Sequence, residues 1–240
     1  MKYLVVIMIL GYLPLSAQSF QEAIQQYHDG QYELSLKSWN GLIDQGQKGA
    51  ALYYNLANTY LKLNRYPESI LYYKKALRWD PNNKDVQYNL DVARKLAGIE
   101  NIALPRFFLF VWFEVIALSL ASYWWALILS IGLFFFVLSM GPFKKLQLPV
   151  WVKYSILALS FIAGACFYFQ ENFKADPNEF VLMNDHAIHI SPDSESEVKL
   201  SLKAGECIRK IDQIGEWIKI TTIEYDAGWI PESSTKRIQL

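Results

Sequence analysis

The spacing of hydrophobic and polar positions changes twice along this 240-residue chain. Over 20–98 apolar and polar residues are interleaved, and the segment reads as a series of helices. Phe20 to Tyr27 and Tyr32 to Asp44 form a first pair, broken at His28-Asp29-Gly30; 50–63 and 66–79 form a second, with Asn64-Arg65 as the tight turn. Gly46 and Gly49 separate the pairs, because glycine readily takes the left-handed conformation that ends helices. Pro81 and Asn82-Asn83 close the second pair, and Lys84 to Ala97 is a further front helix without a full partner. From Ala103 to Met140 and over 154–170 charge nearly vanishes: 107–140 holds only Glu114, and 154–170 holds none. From 178 onward short runs alternate, as strands do. These are Phe180-Val181-Leu182, Ala187 to Ile190, Lys199 to Leu202, Cys207 to Ile211, Trp217 to Ile220 and Gly228-Trp229-Ile230, separated by turns at Ser191-Pro192-Asp193, Ala204-Gly205-Glu206 and Ile214-Gly215-Glu216.

The helical third repeats itself at a shift of 34 residues. Tyr54-Asn55-Leu56 returns as Tyr88-Asn89-Leu90, and Tyr32, Ser35 and Trp39 return as Tyr66, Ser69 and Tyr73. The period, together with Tyr53-x2-Leu56-Ala57-x2-Tyr60, Ser69-x3-Tyr73 and Pro81, resembles the tetratricopeptide repeat, a stacked pair of antiparallel helices. The resemblance implies a concave surface that holds another polypeptide, lined by the front helices. On them Tyr54, Asn55, Asn58, Lys62 and Asn89 are the candidate groove residues, because an asparagine amide both donates to and accepts from a peptide backbone. The competing assignment has these asparagines satisfying turns or a solvated face. Two complete pairs are few for a solenoid, so the module is expected to lean on a partner, a second copy or the membrane.

The apolar middle exceeds one bilayer crossing of about 20 residues. Trp124 and Trp125 suit an outer interfacial belt and Lys144-Lys145 an inner edge, which places a first span at 122–141 and leaves 105–121 as a membrane-surface helix. The competing division starts that span near Val115 and buries both tryptophans. A second span covers 150–170, and the lysines around the 142–149 loop put the hairpin tip in the cytoplasm. Lys2, the apolar run Tyr3 to Leu13 and Leu15-Ser16-Ala17 read as a signal peptide over 1–17, with an uncleaved anchor as the alternative. Export of residues 18–100 and a two-span return place both ends in the periplasm.

The alternating C-terminal segment, 178–240, resembles bacterial SH3-like domains. The tokens are Ser191-Pro192, Lys203-Ala204-Gly205-Glu206, Trp217-Ile218-Lys219-Ile220 and Gly228-Trp229-Ile230. A small all-β barrel is expected. Trp217, Tyr225 and Trp229 are a candidate ligand surface, although core is the preferred assignment for the two tryptophans. His186 and His189, three apart on a strand, point to opposite faces and make a poor metal pair. With two cysteines, Cys166 and Cys207, there is no disulfide framework, and a nucleophilic Cys207/His pair lacks a peptidase domain to hold it. No phosphate-binding loop, zinc-peptidase or serine-hydrolase motif occurs. Neither catalytic residues, nor a metal, nor a cofactor is expected.

The chain is 52% hydrophobic and 19% charged with formal net charge zero, which sets nucleic acid aside as a partner. The fold class is therefore a multi-domain membrane protein: an all-α repeat solenoid, two transmembrane helices and a small all-β barrel. That order resembles the BatE family of a bacterial aerotolerance operon. Its most telling pieces are Tyr53 to Tyr60, Ala76-Leu77-Arg78-Trp79-Asp80-Pro81 and Asn89-Leu90. The resemblance implies a non-enzymatic inner-membrane scaffold in an envelope complex. Its partners would be a MoxR-type ATPase and membrane proteins bearing von Willebrand factor A domains. The alternative is a wall-associated accessory protein whose barrel binds peptidoglycan.

Overall fold

A computed structural model describes residues 19–99, 107–140, 148–222 and 227–239. The signal peptide, Lys144, Lys145 and Tyr225 lie outside the described residues. The chain divides into two compact units. One is built from residues on both sides of the apolar middle, the other from 104–176.

In the first unit, α1 (19–28), α2 (Tyr32–Asp44), α3 (Ala50–Lys62), α4 (Tyr66–Trp79) and α5 (Lys84–Leu96) follow one another. The repeat is visible in single hydrogen bonds. The Ser35 hydroxyl donates to the Ala23 carbonyl at 2.8 Å, and 34 residues on the Ser69 hydroxyl donates to the Ala57 carbonyl at 2.9 Å. A small hydroxyl residue lets paired helices approach at Ala23 and Ala57 and supplies a donor where they meet. Beside these serines Trp39 and Tyr73 fill the same repeat position, both fully buried. Asn83 begins α5 by accepting from the Val86 N–H, an N-cap that stabilises a helix start by about 1 kcal/mol.

Seven antiparallel strands complete the unit: β1 (Glu179–Leu182), β2 (His186–His189), β3 (Val198–Leu202), β4 (Cys207–Ile214), β5 (Trp217–Thr221), β6 (Ala227–Pro231) and β7 (Thr235–Arg237), in the order β3-β2-β6-β5-β4-β1-β7. Six strands anticipated from alternation form. β7 was not anticipated, since Thr-Lys-Arg carries no apolar alternation. The sheet curls around Phe180, Leu182, Ile188, Leu202, Ile208, Ile218, Ile220 and Ile230, which form one core although they come from six strands.

The opposite face of β1 and β7 has a different partner. Val181 and Ile238, both fully buried, pack in one cluster with Ile70, Leu71, Ala76, Val86, Leu90 and Ala93 of α4 and α5. Each such side chain removed from water contributes about 1.5–3 kcal/mol. Repeats and sheet are thus one unit with a shared core, not two modules separated by a hairpin. The sheet packs mainly on α4, and α5 joins the same core cluster through Val86, Leu90 and Ala93. Glu179 strengthens the junction: its two carboxylate oxygens accept from Lys74 at 2.7 Å and from buried Arg78 at 2.5 Å.

The second unit contains α6 (Phe108–Leu118), α7 (Ser122–Met140) and α8 (Val150–Ala175). Two helices are long and apolar enough to cross a membrane by length and composition: α7 with 19 residues and mean hydropathy 2.0, α8 with 26 and 1.7. α7 and α8 approach closely because Gly132 faces Ser160; a Cβ on Gly132 would lie 2.1 Å from the Ser160 oxygen. α8 outruns the expected 150–170 span by five residues, since nothing in its sequence stops a helix before Asp176-Pro177. The helix break at 119–121 is held by Gln170. Its amide nitrogen donates to the carbonyls of Leu120 at 2.8 Å and Ala117 at 3.3 Å, and the Trp125 indole donates to Ala117 at 2.9 Å.

Candidate functional site

Three of the five candidate groove residues converge. Asn89 on α5 uses both amide hydrogens within the chain, donating to the Tyr54 hydroxyl at 3.1 Å and to Asn58 Oδ1 at 3.2 Å. Asn58 Oδ1 takes a second donor, the hydroxyl of Tyr73, at 2.5 Å. Tyr73 belongs to α4 and reaches the site from behind, and its ring lies 6.1 Å from that of Tyr54. Burial, with the nearby Tyr54 raising it further, pushes the Tyr73 phenol far above its ordinary range, so it stays protonated and remains a donor.

This network fixes the orientation of both amides. With Asn58 Oδ1 and Asn89 Nδ2 committed, Asn58 Nδ2 and Asn89 Oδ1 make no hydrogen bond among the described residues. The pair offers one donor group and one acceptor side by side, the complement of a peptide unit that presents one C=O and one N–H. The two asparagines come from consecutive front helices, so the donor–acceptor pair exists only when the repeats are stacked.

The remaining two candidates are not brought into this network. Asn55 turns its amide back to the Ala51 carbonyl one turn earlier, at 3.0 Å, and Lys62 is exposed at the end of α3. Tyr73 is the member that pattern reading missed as a site residue. Its repeat position marked it as core, and only the 15-residue link to Asn58 reveals its second role.

On the sheet, Trp229 is buried, as the preferred core assignment expects, and Trp217 is half-buried. Trp229 pairs with His189 on one side and Lys219 on the other, and the adjacent Ile230 pairs with Ile218 in the core. Alternation therefore sends Trp229, Lys219 and Trp217 to the face away from the isoleucine core. The His189 ring stands edge-on to Trp217 at 5.5 Å, and Lys219 Nζ lies 5.9 Å from the Trp229 ring. Cys207 pairs opposite Val181 and packs with the shared core, while β6 and β5 separate its strand from that of the histidines. Among the described residues no group of three or more His, Cys, Asp or Glu side chains is placed to hold a metal.

Two of the three helices that build the amide site carry a family signature. Residues 50–83, which are α3, α4 and the turn after them, match the family model of the tetratricopeptide repeat. The chain is also similar to sperm-associated antigen 1 of Rattus norvegicus, 35% identical over 81 residues. That alignment covers 34% of this chain and 9% of the relative, so the chain spans under a tenth of its length. Residues 50–83 are accordingly a tetratricopeptide repeat, an architecture whose general role is to bind protein partners.

Proposed function

We propose that the chain is a non-enzymatic, membrane-anchored scaffold whose repeats hold an extended segment of a partner protein at Asn58 and Asn89. The observation that carries this reading is the pair of oriented amide groups left open on stacked repeats. The partner's backbone would accept from Asn58 Nδ2 and donate to Asn89 Oδ1, with Tyr54 alongside.

Anchoring rests on α7 and α8, each long enough for a hydrocarbon core of about 30 Å. The shared core supports the topology. Residues before and after the apolar unit pack together at Val181 and Ile238, which supports one compartment for both and an even number of crossings by the intervening helices. This favours two crossings with α6 outside the count. Together with the signal peptide and the lysine-bearing loop, it supports a bacterial inner-membrane protein with repeats and sheet in the periplasm. By resemblance, the partners are von Willebrand factor A membrane proteins and a MoxR-type ATPase system in an envelope complex linked to aerotolerance.

The test is recovery of partners from native membranes in mild detergent by tagged full-length protein, read by mass spectrometry. Asn58→Ala/Asn89→Ala should reduce recovery about tenfold, and Asn55→Ala should leave it within about twofold. Equal recovery by all three proteins would reject the groove.

A second reading is favoured by one observation, half-buried Trp217 standing edge-on to His189 on the face away from the isoleucine core. That SH3-like face would bind peptidoglycan. Co-sedimentation of the full chain with purified peptidoglycan, abolished by Trp217→Ala, would select it.

A further inference from the structure

The β1–β2 and β3–β4 turns reach the repeats at the start of α4 and the end of α5. Between them lies a cavity of about 300 Å³, lined by Tyr66, Pro67, Ala97, Asp185, Lys203 and Ala204. Close backbone contacts hold its walls. Gly205 turns at φ +96° so near α4 that a Cβ there would lie 2.8 Å from Ile70 Cδ1 and 3.8 Å from the Cα of Pro67. Asp185 is tied to the same turn, its Oδ1 accepting from the Ala204 N–H at 2.8 Å. The Lys203 ammonium crosses to the repeats and donates at 2.8 Å to the carbonyl of Gly98, the left-handed glycine that ends α5.

Asp185 and Lys203 thus face one cavity with opposite charges. They form no ion pair with each other or with another described residue. Each is held by a backbone group instead, which positions the charge without neutralising it. Glu206, the next carboxylate on the turn, accepts from the Lys203 backbone N–H at 2.8 Å.

We propose that this cavity binds a small apolar zwitterion, an α-amino acid or a dipeptide, with its ammonium group on Asp185 and its carboxylate on Lys203. An anion alone would meet the Asp185 charge, and a cation alone that of Lys203. A neutral ligand would displace water from both charges and replace it with nothing. A zwitterion answers both charges through charge-assisted hydrogen bonds, and these fix its orientation. Tyr66, Pro67, Ala97 and Ala204 supply the apolar wall for its side chain, and the volume is at the small end of ligand cavities. Asp185 and Lys203 are exposed, so the cavity opens to solvent. The site uses neither the groove amides nor the Trp217 face and stands or falls independently of both.

The test uses the full chain in a sugar-based neutral detergent, with Tm followed as leucine or leucyl-leucine is added. The two compounds set ammonium and carboxylate at two separations. N-acetylleucine and leucine amide, each capped at one end, are the controls. A saturable rise with at least one zwitterion, and none with either capped compound, is expected, because a ligand that binds only the folded state stabilises it. The stronger responder then identifies the occupant as an amino acid or a dipeptide. Asp185→Asn keeps an acceptor for the Ala204 N–H and removes the charge; Lys203→Gln removes the ammonium from an exposed position. Each should weaken the apparent affinity for the zwitterion about tenfold. No response to either zwitterion, an equal response to a capped compound, or an undiminished response in either variant would overturn the site.

Discussion

At the scale of single residues, Glu179 links the two halves of the first unit. It sits 101 and 105 positions from Arg78 and Lys74, so no local pattern announces the contact. Burial alone would raise its carboxyl pKa; the Lys74 ammonium, then Arg78 and Arg209, outweigh burial and hold it below the ordinary value. A depressed folded pKa contributes stability that is present above the unfolded carboxyl value, about 4.3, and is lost as pH falls through the folded value. Glu179→Gln removes the carboxylate that Lys74 and the buried Arg78 share and should destabilise the unit by about 3 kcal/mol at neutral pH. Urea titrations followed by tryptophan fluorescence would show it. The gap between parent and variant should begin to narrow as pH falls below the unfolded carboxyl value and close once pH passes below the depressed folded value; a gap independent of pH would mean that Glu179 acts by shape and not charge. The groove was more legible than this ion pair. Tyr54 and Asn89 stand one residue off the 34-residue period, on facing helices, so the repeat alone brings them together. The period says nothing of amide rotation, and hence could not tell Asn58, held by Tyr73, from Asn55, which bonds its own helix.

At the scale of elements, the sequence announces helices and strands through spacing and turns but leaves breaks and contact faces silent. No glycine or proline marks 119–121, and the apolar run continues through it. The break depends on Gln170, some 50 residues away, which caps two carbonyls. Gln170→Leu should leave the Leu120 carbonyl without a donor and lower the stability of the three-helix unit by about 1 kcal/mol. Thermal unfolding in detergent, followed by far-ultraviolet circular dichroism, is the measurement, and an unchanged midpoint would dismiss the cap. At the junction, Gly205 turns beneath the repeats at φ +96°, and a Cβ there would lie 2.8 Å from Ile70 Cδ1 and 2.9 Å from Ile99 Cδ1. Gly205→Ala therefore combines backbone strain with displacement of a buried isoleucine, for an expected loss of about 2 kcal/mol of unfolding free energy in a denaturant titration. A loss no larger than for alanine at the open Gly215 turn would show that the close approach is unimportant.

At the scale of the whole molecule, the sequence shows three compositional regions, and linear order invites three separate bodies. The structure instead joins the first and last. The reason lies in strand alternation: it reveals that Val181 and Ile238 share a face, yet an outward apolar residue is common on any surface, and its cover can come from any part of the chain. Because α4 and α5 share one core cluster with Val181 and Ile238, the repeats and the strands should open together. Ile238→Ala, a deletion at a fully buried position, should cost about 3 kcal/mol. If the core is shared, hydrogen exchange read by mass spectrometry would show faster exchange in α4 and α5 as well as in β1 and β7, with α7 and α8 unaffected. Acceleration confined to the strands would mean that the two parts merely touch. In that case the compartment argument would also fail, since contact without a common core does not oblige the segments flanking the apolar helices to fold on one side.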